Sequence, residues 1–221
     1  QVVASEAEDA TVREILRELG EYLVQHGSAD ITLHFVGHIV GEWLPASVIE
    51  GLARRLCQLG HAKELWGCWR VSRQFLVQPF VERLWQAESP EESQWLIERL
   101  LEIDGAVVLK DPSLRQLAFQ SASSELLLRS VNQVVASEAE VDTVSEILGE
   151  LEEYLTRRAS ADRLLDVVRQ LSEGALPASV IENLARRLVQ LGRAKELWAC
   201  WRVSRQFLVQ PFVERLWQAE S

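Results

Sequence analysis

The chain has 221 residues, which bounds it to one large domain or two ordinary ones. With 48% hydrophobic and 25% charged residues it has the composition of a folded protein, which argues against disorder. No apolar run approaches the roughly 18 residues of a membrane span, and a net charge of −10 works against non-specific nucleic-acid binding.

In chain order, the apolar spacing predicts paired helices at 10–26 with 29–42, 45–59 with 61–75, 78–88 with 90–103, and 112–120 with 123–139. After that the pattern resumes. AVVL at 106–109 is too short for a strand and reads as a loop. All six prolines, Pro45, Pro79, Pro90, Pro112, Pro177 and Pro211, are placed where a helix is expected to begin. A proline there loses no hydrogen bond, since the first helical amides have no intrahelical partner. Ser89 and Asp111 stand just before two of them as caps.

Sliding the chain by 132 residues aligns 1–89 with 133–221 without a gap, and about three quarters of the positions agree. The segment CWRVSRQFLVQPFVERLWQAES, at 68–89 and 200–221, is unchanged. The middle, 90–132, has no partner. Inside the long repeat lies a shorter one: an apolar-x-x-apolar pair recurs from Val12/Ile15 to Val213/Leu216 in steps of 37, 32, 33, 30, 37 and 32 residues. Each step is the length of one helix–turn–helix unit, and four make the 132-residue super-repeat. A single hairpin cannot bury its apolar face, so neighbours must stack. The expected fold is all-α: a right-handed α-solenoid of about seven hairpins, each roughly 33 residues, in one domain over 1–221. Both ends read as cuts from a longer array, which predicts exposed apolar end faces and end-to-end self-association.

SVIEGLARRLCQLGHAKELWGCWRV and its copy SVIENLARRLVQLGRAKELWACWRV resemble the helical-hairpin repeats of the tetratricopeptide and pentatricopeptide type. The leucines of the first helix, the turn QLGH or QLGR, and the AKELW opening of the second helix carry the likeness. The resemblance implies a non-enzymatic scaffold binding a protein or peptide on its concave surface. Two alternatives are a single-stranded RNA reader and a structural spacer or engineered fragment without its own activity.

The candidate partner-binding residues are Trp66, Trp69, Arg70 and Arg73, with Trp198, Trp201, Arg202 and Arg205 in the second copy. On a continuous helix, Trp66 would face Arg70 and Trp69 would face Arg73, four residues on. Tryptophan with arginine is the composition of interface hot spots. The competing reading has the tryptophans packing between hairpins and the arginine stems covering them. Arg54 and Arg186 are expected to pair with Glu50 and Glu182, four residues earlier.

His26, Asp30, His34 and His38 recur at intervals of four, a spacing that could hold a metal on one helical face. Gly27 and Ser28 predict a turn that takes His26 out of line, and the second copy carries Arg158, Asp162, Asp166 and Gln170 instead, so no metal site is assigned. The sequence contains no phosphate-cradling glycine loop, CxxC, HExxH or nucleophile elbow, and neither enzyme activity nor a cofactor is expected. Cys57, Cys68 and Cys200 lack paired spacing and read as free thiols of the cytoplasm or another reducing compartment. Cys57 is Val189 in the second copy, so a small apolar group is what that position needs. Most differences between the copies fall in 13–44 against 145–176, which makes this hairpin a candidate for reading a ligand.

Overall fold

The computed structural model describes residues 2–38, 43–136, 141–170, 176–201 and 205–219. Among them every regular element is helical, and no helix is long and apolar enough to cross a membrane. The chain divides into two compact units, 1–96 and 97–221.

The first unit contains α1 (Val2–His26), α2 (Ala29–His38), α3 (Ala46–Gln58), α4 (Ala62–Cys68), a 3₁₀ turn (Arg73–Leu76), α5 (Val77–Leu84) and the start of α6 (Pro90–Lys110). Helix α3 is its centre and packs against both α1 and α5. Leu52, Leu56, Leu65, Leu76 and Phe80 are fully buried around it. Cys57 is also buried, as is Val189 at the same place in the second unit, which bears out the need for a small apolar group.

The second unit holds the rest of α6, then α7 (Pro112–Ser121), α8 (Ser124–Ala136), α9 (Val141–Glu153), a π-helical turn (Tyr154–Arg158), α10 (Ala161–Gln170), α11 (Ala178–Gln190), α12 (Ala194–Cys200) and α13 (Gln206–Ala219). Helix α11 packs on α13, and α10 packs on α8 and α12. One continuous cluster runs from Leu109 to Leu208 through Val131, Ile147, Leu151 and Leu184.

The duplication is copied into the backbone. Helices α2, α3 and α4 have the same bounds as α10, α11 and α12 once 132 is added. Their turns agree as well. Gly60 (φ +84°) and Gly192 (φ +78°) occupy the left-handed region that favours glycine. In the first, the Gly60 amide donates to the Cys57 carbonyl and the His61 amide to the Leu56 carbonyl, at 3.0 and 2.9 Å. Gly192 and Arg193 repeat this onto Val189 and Leu188 at 3.1 and 3.0 Å. This paired bonding closes a helix end by satisfying its last carbonyls.

Caps hold where sequence places them. The Asp111 side chain accepts from the Ser113 and Leu114 amides, and Ser89 Oγ accepts from the Glu92 amide at 3.1 Å.

Four local expectations need correction. The helix expected over 61–75 stops at Cys68: Trp69 turns extended (ψ 118°), is only 5% exposed, and its Nε1 donates to the Ser72 carbonyl at 3.1 Å. Burial of the indole wins over continuing the helix. Trp201 turns the same way (ψ 116°). AVVL at 106–109 is helical and not a loop, because Asp104 breaks α6 (φ −155°, ψ 87°) and its Oδ1 accepts from the Val107 amide, capping a new segment. That segment runs so close to α8 that a Cβ on Gly105 would meet Ser130 at 2.7 Å.

Two prolines lie inside helices. Pro79 is the third residue of α5, where its missing N–H costs nothing, whereas Pro211 is the sixth residue of α13 and forfeits one bond. Of the helix expected over 29–42, residues 29–38 are found and 39–42 lie outside the described residues. The last correction concerns Arg54 and Arg186. Their close partners are Glu82 (2.7 Å) and Glu214 (2.9 Å), 28 residues later, so these bridges tie α3 to α5 and α11 to α13.

Candidate functional site

Because α4 ends before Trp69, helical spacing cannot pair tryptophan with arginine as the sequence suggests. The extended break and the 3₁₀ turn carry Arg73 back over Trp66, seven residues earlier, with its guanidinium carbon 3.9 Å from the ring centroid. The second unit repeats the contact with Arg205 at 4.6 Å from Trp198. Trp69 and Trp201 are instead structural, 5% and 9% exposed. Arg70 is exposed, and Arg202 lies outside the described residues. So four of the eight candidate residues come together, as two stacked pairs, and the Trp66–Arg70 and Trp69–Arg73 pairings do not form.

In the first unit the pair opens a longer row. Trp66 lies 6.1 Å from Phe80, Phe80 lies 5.8 Å from Trp95, and Lys63 Nζ stands 5.9 Å over Trp95. Phe80 is fully buried, while Trp66 and Trp95 are half-buried. In the second unit Trp198 meets Phe212 edge-on at 6.1 Å and is 51% exposed. Arg73 and Arg205 are exposed, and among the described residues neither enters an ion pair. A stacked guanidinium keeps its planar face on the ring and its N–H edge available for a carboxylate, so two exposed donor forks result.

A second site was missed by sequence reasoning. Arg115, on α7, is 1% exposed. Its Nε and one terminal nitrogen donate to both oxygens of Glu150 at 2.7 and 2.6 Å, with Glu146 at 2.8 Å and the Leu109 carbonyl at 3.0 Å. Donation to the Glu150 carboxylate, reinforced by Glu146, raises its pKa above the ordinary arginine value and keeps the guanidinium charged. Beside it opens a groove of about 350 Å³ lined by Gln116, Phe119, Gln120, Glu153, Tyr154 and Arg158. The π turn places Tyr154 there, 5.9 Å from Phe119. Phe119 and Tyr154 line the groove together with the carboxylates of Glu150 and Glu153 and the guanidinium of Arg158.

The histidines do not converge. His34 and His38 lie 4.4 Å apart ring to ring, His38 Nδ1 is 2.8 Å from the His34 carbonyl, and His26 stacks on Tyr22 at 5.1 Å. Among the described residues no three His, Cys, Asp or Glu side chains gather as a metal site would require. Burial pushes the Cys57 thiol up to about 12 and also raises that of Cys68. No protein-family model, no curated protein and no solved structure gives a significant match to this chain.

Proposed function

We propose that this chain is a non-enzymatic helical-repeat scaffold of the α-solenoid kind, which binds a protein or peptide partner at its stacked Trp–Arg pairs. The observation that carries the reading is the recurrence of one contact: Arg73 over Trp66, and Arg205 over Trp198 132 residues later. Both arginines are exposed with donors to spare, so the partner chemistry that fits is an acidic segment whose carboxylates meet the guanidinium edges. The hairpins with matched glycine turns support the repeat reading. A base-stacking platform for single-stranded RNA draws less support, because Phe80 in the middle of the aromatic row has no exposed face and the chain carries a net charge of −10.

The test is an array of immobilised acidic peptides probed with the wild-type chain and with the Arg73→Ala/Arg205→Ala double variant. A central interface arginine commonly contributes roughly 2 kcal/mol, so the selected peptides should lose about 30-fold in affinity. Melting should barely move, since exposed positions usually change stability by less than about 0.5 kcal/mol. Equal peptide affinity for both proteins, or a melting temperature lower by many degrees, would assign the stacking to packing alone. Retained uridine oligomers with steep salt dependence would assign it to RNA.

A further inference from the structure

The two copies carry the same apolar stripe on the helix that opens them, yet only one stripe is covered. On α9, Ile147 and Leu151 are 1% and 0% exposed and Val144 is partly buried, as is Tyr154 at the start of the π turn that follows. The residues at the same places on α1 are Ile15, Leu19, Val12 and Tyr22, and they are 58%, 42%, 41% and 59% exposed. The α9 stripe is covered by the hairpin α7–α8, with Phe119 against Tyr154 and Arg115 clasped by Glu146 and Glu150. The carboxylates are copied too, as Glu14 and Glu18. Glu18, at the place of the two-pronged partner Glu150, is exposed and in no ion pair among the described residues, while Glu14 is shared with Arg17.

We infer that the exposed face of α1 is a docking surface for a helical hairpin of the α7–α8 kind, with an arginine equivalent to Arg115 seated on Glu18. Charge complementarity and the occupied duplicate in the same molecule both point to that occupant. The inference is independent of the Trp–Arg pairs, none of which lies on this helix.

The probe is a labelled peptide of residues 111–136, titrated onto the full chain by fluorescence anisotropy. Binding should weaken at least about 10-fold with Ile15→Asp or Glu18→Arg in the chain, or with Arg115→Glu in the peptide, the scale of a central contact. Combining Glu18→Arg with the Arg115→Glu peptide should restore most of the loss, a coupling that independent effects would not produce. Because the free peptide has to fold as it binds, a second protein carries residues 90–132 fused ahead of Gln1, which recreates the order found before Gln133. In it, amide exchange across 10–26 should slow at least about 10-fold, as burial of an exposed helix face requires.

Peptide binding insensitive to Ile15→Asp would mean exchange onto α9 and would overturn the inference. So would unchanged exchange in the fused protein. A free chain that dimerises through this face, with Ile15→Asp abolishing the dimer and the peptide failing to compete, would assign the face to a second copy instead.

Discussion

Replacing Arg115 tests how the second unit is held together. The side chain is 1% exposed, but its partners Glu146 and Glu150 are 58% and 44% exposed. Removing the arginine therefore strands no buried charge, because both carboxylates return to water. What remains is the loss of charge-assisted hydrogen bonds, typically about 1.5–3 kcal/mol each before the arginine's own desolvation cost is recovered, and an unpaired Leu109 carbonyl at about 1–3 kcal/mol. The expected net cost of Arg115→Ala is about 3 kcal/mol. With a urea slope of about 1.5 kcal/mol per molar, the midpoint should fall by about 2 M. Arg115→Met keeps most of the volume and should cost about half as much, since a buried ion pair often contributes little more than an apolar substitute. Glu150→Gln should be worse than Glu146→Gln, because Glu150 accepts with both oxygens. The assay is urea unfolding followed by circular dichroism. An Arg115→Ala midpoint within about 0.3 M of wild type would refute the reasoning, given that slope.

Two further outcomes are expected. At pH 8 a thiol reagent should label Cys68 and Cys200, which are half-buried, before Cys57, whose thiol is pushed up to about 12 by burial; Cys57 should react only once urea opens the unit. Equal labelling rates in the native protein would contradict that burial. The Arg54 hydrogen bond holds the Glu82 carboxyl below the usual glutamate range, so the bridge contributes fully above that range and is lost as pH falls through the lowered value. Arg54→Gln should return the Glu82 titration, followed by carboxyl NMR, to the ordinary range, and an unchanged curve would show that the bridge does not exist in solution.

Local signals were legible and long-range partners were not. Gly60 and Gly192 marked their turns, and Asp111 and Ser89 their caps, because each acts on backbone groups within a few residues. The helix through Trp69 was misread because its end is set by where an indole can be buried, which spacing does not encode. The same error moved each stacked arginine: a distance of seven residues between Trp66 and Arg73 means nothing until the break between them is known. Arg54 and Arg115 show the limit most plainly. Their acids stand 28 to 35 residues away, and for Arg54 the i,i+4 neighbour Glu50 was simply nearer in the chain. A signal for Arg115 did exist, an arginine amid the apolar residues of α7, but nothing in one sequence says which acidic helix it meets.

The junction of Asn132 and Gln133 lies inside α8 and not in a loop. Val131 and Val134 straddle it, 0% and 1% exposed, whereas Val135 beside them is 47% exposed. Each residue added to a helix rotates all that follows by about 100°. An insertion of one residue at this junction would therefore swing Val134 to the angle now held by Val135 and turn the rest of the helix off its neighbours. A loop tolerates an inexact join, but a helix does not. A change of length within α8 is thus confined to insertions that keep the rotational phase of the residues after it.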